Sequence, residues 1–234
     1  MFVDLNLVGT ASSGAKPADL TSRFVTFSEA GFARASYPTP SRASLIPMLD
    51  IGAGYMAGRS IALGAGVSRA SFEDVAGLRV DVPHPTFLNA PATATSATDR
   101  TLSRTETALH VFVAAVPLRT TRFEFRLFGG PSLFWFKGDL VKDVSYTQTF
   151  DPATPSSAIT ITGSESELTR GRGYGFHLGS DFAYFVSRRW AVKVGMRYSQ
   201  ANVAIDHEPL SKVAQEIRVG GTLVFLGVRL RFGH

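Results

Sequence analysis

The sequence predicts an all-β protein: an eight-stranded antiparallel up-and-down β-barrel that crosses a membrane, with short turns at one end and long loops at the other. Three observations predict it. Apolar and polar residues alternate with period two in segment after segment, which is the spacing of strands. The connections between those segments alternate strictly between short and long, as they do in barrels that cross a membrane with strands. One register of the segments is uniformly apolar and tends to end on aromatics, whereas the other combines glycine with isolated charges. No run of about 18 apolar residues is present, so no transmembrane helix is expected.

The composition agrees. Charged residues make up 18% of the 234-residue chain, hydrophobic residues 44% and aromatics 11%, 18 of them Phe. A soluble domain usually carries about a quarter of its residues as charge. There is no cysteine, which excludes disulfides and thiolate metal sites. The net charge of +5 comes from arginines spread over many strands, with no basic run or basic helix. That distribution argues against nucleic acid as a partner and suits basic residues beside lipid phosphate. The N-terminus alternates and lacks a basic start and a continuous apolar core, so it reads as the start of a mature chain rather than as a signal peptide.

Taken in order, Met1 to Val8 is the first strand, with Val3, Leu5 and Leu7 on one face and Asp4 and Asn6 on the other. A long loop follows over about 10–44. Within it Arg23 to Tyr37 has strand-like spacing, and reads as a hairpin standing above the membrane or, alternatively, as a membrane strand. Leu45 to Tyr55 and Ile61 to Ser68 form a hairpin around Ala57-Gly58-Arg59-Ser60. A second long loop covers about 71–103, with Pro83, Pro85 and Pro91. Arg104 to Ala115 and Phe123 to Trp135 are the next pair, joined near Arg119. A third long loop spans about 138–172, its ends (Val141 to Phe150 and Ala158 to Thr162) resembling strand extensions. Tyr174 to Tyr184 and Trp190 to Ser199 form another pair around Arg188. A shorter loop over about 203–212 leads to the closing strand, which ends at Phe232.

Which face lies inside follows from glycine. A soluble barrel would place its apolar face inward and cover its outside with Lys, Glu and Thr. Here the less apolar face is rich in glycine, which suits a crowded interior and is wasted on a solvated surface. That face is therefore expected to line the lumen. It collects Asp4, Asp50, Glu106, Glu124 and Asp181 against Arg126, Lys193, Arg197, Arg229 and Arg231, with His110 and His177 among them. The opposite face carries Tyr55, Trp135, Tyr174, Tyr184, Trp190, Tyr198 and Phe232 near strand ends, as membrane-interface girdles would. The whole chain reads as a single domain.

By this pattern the chain resembles the small outer-membrane β-barrel proteins of Gram-negative bacteria, of the OmpA and OmpX type. It is also similar to porin-family barrels of uncharacterised role, through Asp50 to Gly54 and Phe128 to Ser132. The closing segment, with Val224, Leu226, Val228, Leu230 and Phe232 alternating and ending on an aromatic, resembles their assembly signal. Gly233-His234 after the aromatic departs from it. The resemblance implies an outer-membrane location, contact with outer-membrane lipid and lipopolysaccharide, and insertion by the outer-membrane assembly machinery acting on the last strand.

The chemistry-bearing residues have ordinary readings beside the functional ones. Charges inside a narrow barrel must pair, because an isolated buried charge costs several kcal/mol. A salt-bridged core is the first reading, and a narrow path for small ions the alternative. His110 and His177 read as hydrogen-bonded core residues rather than switches. His110 and Glu106 share a face, but no serine with a recognisable motif adjoins them, so a lipid-modifying enzyme is the weakest reading and no catalytic residues are assigned. Asp206-His207-Glu208 reads as a solvated turn rather than a metal site, and Gly171 to Gly175 as strand glycine rather than a phosphate loop. No cofactor is expected. The expected role is structural or interactive, carried by the outer loops.

Overall fold

The computed structural model describes residues 1–10, 21–26, 31–36, 48–87, 89–205 and 215–232. Twelve strands are present among them: β1 (Phe2–Thr10), β2 (Thr21–Thr26), β3 (Gly31–Ser36), β4 (Met48–Met56), β5 (Ile61–Asp74), β6 (Gly77–Val82), β7 (Ala92–Ala97), β8 (Leu102–Arg119), β9 (Phe123–Phe150), β10 (Ser157–Phe185), β11 (Trp190–Ile205) and β12 (Gln215–Arg231). Eight of them close into one antiparallel barrel in the order β1-β12-β11-β10-β9-β8-β5-β4. The seam is β1 against β12, with Asp4 opposite Arg229 and Leu7 opposite Leu226. Beyond the last ladder pair, the Phe232 amide donates to the Met1 carbonyl at 2.8 Å.

Three tight turns lie at the end of the barrel that holds Met1 and Phe232. They are closed by Ala57 N–H to Ile61 O at 2.9 Å, Thr120 N–H to Phe123 O at 2.8 Å and Val186 N–H to Trp190 O at 3.0 Å. We call this the turn end, and the opposite end the loop end. The β8–β9 ladder is interrupted between Ser132 and Gly129, where Pro131 has no N–H to give.

The loop end is more ordered than its composition suggests. The segment over 71–103 is not a plain loop: β5 continues to Asp74, β6 and β7 lie within it, and β8 starts at Leu102. The segment over 138–172 is no loop either, because β9 and β10 run on as one hairpin, 28 and 29 residues long. The expected hairpin within 23–37 is β2 and β3, and it stands outside the barrel. These two join β6 and β7 in a second sheet of order β2-β3-β6-β7. Leu78, Val80 and Val82 alternate with exposed Gly77 and Arg79, so β6 has one apolar face. That face packs on Val141 and Val144 of β9, with Tyr146, Ile159 and Ile161 alongside. Register shifts in the β9–β10 ladder near Lys142 and Thr162 make this contact possible. Skipping one residue exchanges the two faces of a strand. Leu140 therefore faces the barrel core, whereas Val141 and Val144 face the second sheet.

Inside the barrel, glycines make room for rings that lie against the wall. A Cβ on Gly54 would collide with the Phe2 ring, one on Gly64 with Phe112, and one on Gly179 with Phe128. Gly195 stands in the same relation to Phe225. Gly52 differs: a Cβ there would lie 3.6 Å from its nearest neighbour, the Ala65 carbonyl oxygen, which is ordinary contact. Gly64→Ala should therefore destabilise the barrel by about 1–3 kcal/mol, as overpacking does. Gly52→Ala should be neutral or stabilising by a few tenths of a kcal/mol through the unfolded chain. Urea unfolding of the two refolded variants checks the contrast.

Candidate functional site: the charged interior

The interior register places a layered set of side chains along the barrel. Nearest the turn end is an ion cluster centred on Arg229, whose side chain is 0% exposed. Its Nε donates to Asp4 Oδ1 at 2.7 Å, its Nη1 to Glu124 Oε1 at 2.6 Å and its Nη2 to Asp181 Oδ1 at 3.0 Å. Arg126 donates to Asp4 Oδ2 at 2.8 Å and forks onto Asp181. Lys193 Nζ lies 2.8 Å from Asp4 Oδ2. Arg231, at the rim, donates to Glu124 Oε2 at 2.6 Å. The Phe2 ring fills the space beside the guanidiniums, with Arg126 at 4.6 Å and Arg229 at 5.3 Å from its centre. These are favourable cation–π distances.

The next layer joins Asp50, Asn6 and Arg197. Arg197 Nη1 donates to Asp50 Oδ1 at 2.9 Å, and Asn6 Nδ2 donates to Asp50 Oδ2 at 2.5 Å. Above it is an imidazole–hydroxyl chain. Ser132 Oγ lies 2.8 Å from both His110 Nδ1 and His177 Nδ1, and Ser68 Oγ lies 3.0 Å from His110 Nε2. The two imidazole rings are 4.7 Å apart, edge to face. A polar cavity of about 40 Å³ lies between these layers, lined by Asn6, Arg126, His177 and Arg197 among others. One atom of each of these four, Asn6 Oδ1, Arg126 Nη1, His177 Nε2 and Arg197 Nε, has no hydrogen-bond partner among the described residues. The space suits about three water molecules in hydrogen-bond reach of such groups.

The interior is not filled by charge throughout. Toward the loop end it turns apolar, with Phe134, Phe136, Leu140, Val203, Ile205 and Val219 packed together. Glu106 sits at that level and does not join the central network. It is half-buried and pairs with Arg104, whose guanidinium lies 5.3 Å from the centre of the Phe136 ring.

Eleven of the twelve predicted lumenal groups are thus placed in the two ion layers or the imidazole chain, with Glu106 apart. Among the described residues, the buried charges are Asp4, Asp50, Glu124 and Asp181 against Arg126, Lys193, Arg197 and Arg229, four of each sign, with half-buried Arg231 joining Glu124 at the rim. The sequence reasoning missed Asn6, Ser68, Ser132 and Arg104 as partners. Asn6, Ser132 and Arg104 share the inward register with the predicted groups, which was the available signal. Asp206-His207-Glu208 lies outside the described residues. Gly171 to Gly175 is part of β10, with Gly173 buried and Arg172 and Tyr174 exposed.

The predicted girdle residues Tyr55, Trp135, Tyr174, Tyr184, Trp190, Tyr198 and Phe232 are all exposed on the outer wall. Of the closing-strand residues, Val224, Leu226 and Val228 are exposed and Leu230 is half-buried. Beyond the barrel, the second sheet exposes Arg79 and Asp81, with Thr93 Oγ1 donating to Asp81 at 2.6 Å. The Asp81 carboxylate raises the Arg79 pKa above its ordinary value, by hydrogen bond and by charge.

No protein-family model matches the chain, and no curated protein matches it. The class defined by fold and interior is a closed antiparallel β-barrel with an ion-paired interior.

Breaking a buried pair from one side leaves an uncompensated charge and typically costs about 3–5 kcal/mol. Asp50→Asn and Arg197→Gln should each destabilise the barrel on that scale. The double variant should recover part of the loss, giving a coupling of about 1–3 kcal/mol. A double-mutant cycle in urea measures it, and additive losses would show the pair to be energetically unlinked.

Proposed function

We propose that the chain is an integral protein of a bacterial outer membrane. In this reading it is a non-conducting barrel that presents its second sheet and the β9–β10 hairpin as an outer platform for surface interaction. One observation carries the reading: the barrel is inside out relative to a soluble one. Its charges are buried within, while large apolar side chains stand exposed on the wall, Leu7 at 74%, Leu178 at 64% and Leu226 at 60%. Contiguous apolar surface of this extent is not left to water by soluble monomers.

The dimensions fit. From Tyr184 at the turn end to Tyr174 on the same strand is about 33 Å at ~3.3 Å per residue, or about 25 Å at a tilt of roughly 40°, the height of the apolar band of such barrels. Exposed Trp190, Phe232 and Tyr55 continue the lower girdle, and Trp135 the upper. The closing strand would be the segment read by the assembly machinery. Lipid and lipopolysaccharide would surround the wall.

The narrow-porin reading is less favoured. The ion cluster fills the turn end, Phe134, Phe136 and Leu140 fill the loop end, and the polar space between is about 40 Å³. An enzymatic reading has little support in the geometry. Both ring nitrogens of His110 face hydroxyls, so no carboxylate orients it as a base for a serine.

Two experiments test this. Reconstituted into planar bilayers, the parent protein should show no steady openings, and well-defined conductance that disappears on altering Arg126 or Arg197 would establish a pore instead. Leu226→Arg, in mid-belt, should cost about 2–4 kcal/mol in phosphatidylcholine vesicles. A change within about 0.5 kcal/mol, as for an ordinary surface site, would contradict membrane insertion.

A further inference from the structure

The outer wall changes character along one line at the loop end. On β10 the exposed series runs Phe176, Tyr174, and then Arg172 and Arg170. On β9 exposed Trp135 is followed by exposed Lys137. On β5 exposed Val67 is followed by exposed Arg69. The ladder aligns these changes. Arg69 is opposite Thr107, Thr107 opposite Trp135, and Trp135 opposite Arg172. One step further out, Thr105 is opposite Lys137, and Lys137 is directly opposite Arg170.

Like charges facing each other across a ladder are destabilising unless something compensates them. Among the described residues no carboxylate forms an ion pair with Lys137, Arg170 or Arg172. Asp139, on the same strand as Lys137, is engaged by Ser103, whose amide and hydroxyl donate to its Oδ2 at 3.0 and 2.7 Å. The cluster thus holds three neighbouring cations, a fourth in Arg69, and hydroxyls of Thr105 and Thr107 between them.

We propose that this patch binds the phosphorylated headgroup of a membrane lipid. The inference rests on the membrane reading above and names a lipid partner for the wall. The order of residues selects an amphiphile: phosphate against Lys137, Arg170 and Arg172, and acyl chains against Tyr174, Leu133 and Leu109 immediately below. Arginine matches phosphate through two parallel hydrogen bonds, and Lys137 adds a point charge. A free polyanion would use the cations and leave the adjoining apolar wall unmatched. Trp135 lies between the cations and the apolar wall, so its fluorescence reports on the site.

Trp190→Phe leaves Trp135 as the sole tryptophan of the chain's two. This protein is reconstituted in phosphatidylcholine vesicles containing rising mole fractions of diphosphoryl lipid A, and flotation of the vesicles confirms incorporation. A saturable change in Trp135 emission is expected. At roughly 1 kcal/mol per cation near a membrane surface, the combined Lys137→Gln, Arg170→Gln and Arg172→Gln variant should move the half-point upward by about 100-fold. Arg188→Gln with Arg189→Gln, at the turn end, should leave it in place. Dephosphorylated lipid A should give no saturation with the parent protein, a comparison that depends on no variant. An unshifted half-point, an equal response to dephosphorylated lipid A, or saturation by millimolar inorganic phosphate in vesicles lacking lipid A would overturn the site. Failure of the parent protein to float would instead overturn the membrane reading, and the site with it.

Discussion

The structure depends on Arg229. This side chain is fully buried on β12 and donates to Asp4 on β1, Glu124 on β9 and Asp181 on β10. One guanidinium therefore ties together strands from both sides of the barrel. Its planar fork suits this better than an ammonium, since it offers five donors in fixed directions. Arg126 binds Asp4 and Asp181 as well, Lys193 binds Asp4, and Arg231 completes Glu124. In a low-dielectric interior, one charge fewer on either side would leave a partner exposed to the full desolvation cost.

Around this cluster the barrel resolves a packing problem. Large rings are needed to fill the interior, yet an eight-stranded wall leaves little room for them. The solution is reciprocal. Phe2, Phe112, Phe128 and Phe225 lie against wall positions held by Gly54, Gly64, Gly179 and Gly195. Two of these rings also shield cations, Phe2 for Arg126 and Arg229 and Phe225 for Lys193. The glycine-rich register that identified the inner face in the sequence is the complement of its aromatics.

Much of this was legible before the structure. Period two gives the facing of each strand without further knowledge, so the inward placement of Asp4, Arg126, Asp181 and Arg229 follows directly from parity, as does the outward placement of Leu7 and Leu226. The eight barrel strands and their three short turns were readable for the same reason. Partner choice was not, because parity says which face a residue occupies and nothing of depth around a closed ring. Glu106 and Asp50 share that face, yet one meets Arg104 and the other Arg197. The second sheet was also hidden. The alternation of Leu78, Val80 and Val82 is present, but it is only one strand long and flanked by Pro83 and Pro85. The register shifts near Lys142 and Thr162 exchange the faces without leaving a composition signal, so the continuous hairpin over 138–172 reads as a polar loop.

The seam between β1 and β12 has a kinetic consequence. These strands are separated by nearly the whole described chain, and a ladder between them is the costliest kind to close in loop entropy. The ion cluster is assembled across that seam: until β12 docks, Asp4, Glu124 and Asp181 lack Arg229, and the half-built wall carries excess negative charge. An open sheet with its acids unneutralised is a poor resting point. Closure supplies the missing cation and the last ladder in one event, which makes barrel formation concerted at its end and leaves little room for a stable, partly opened form.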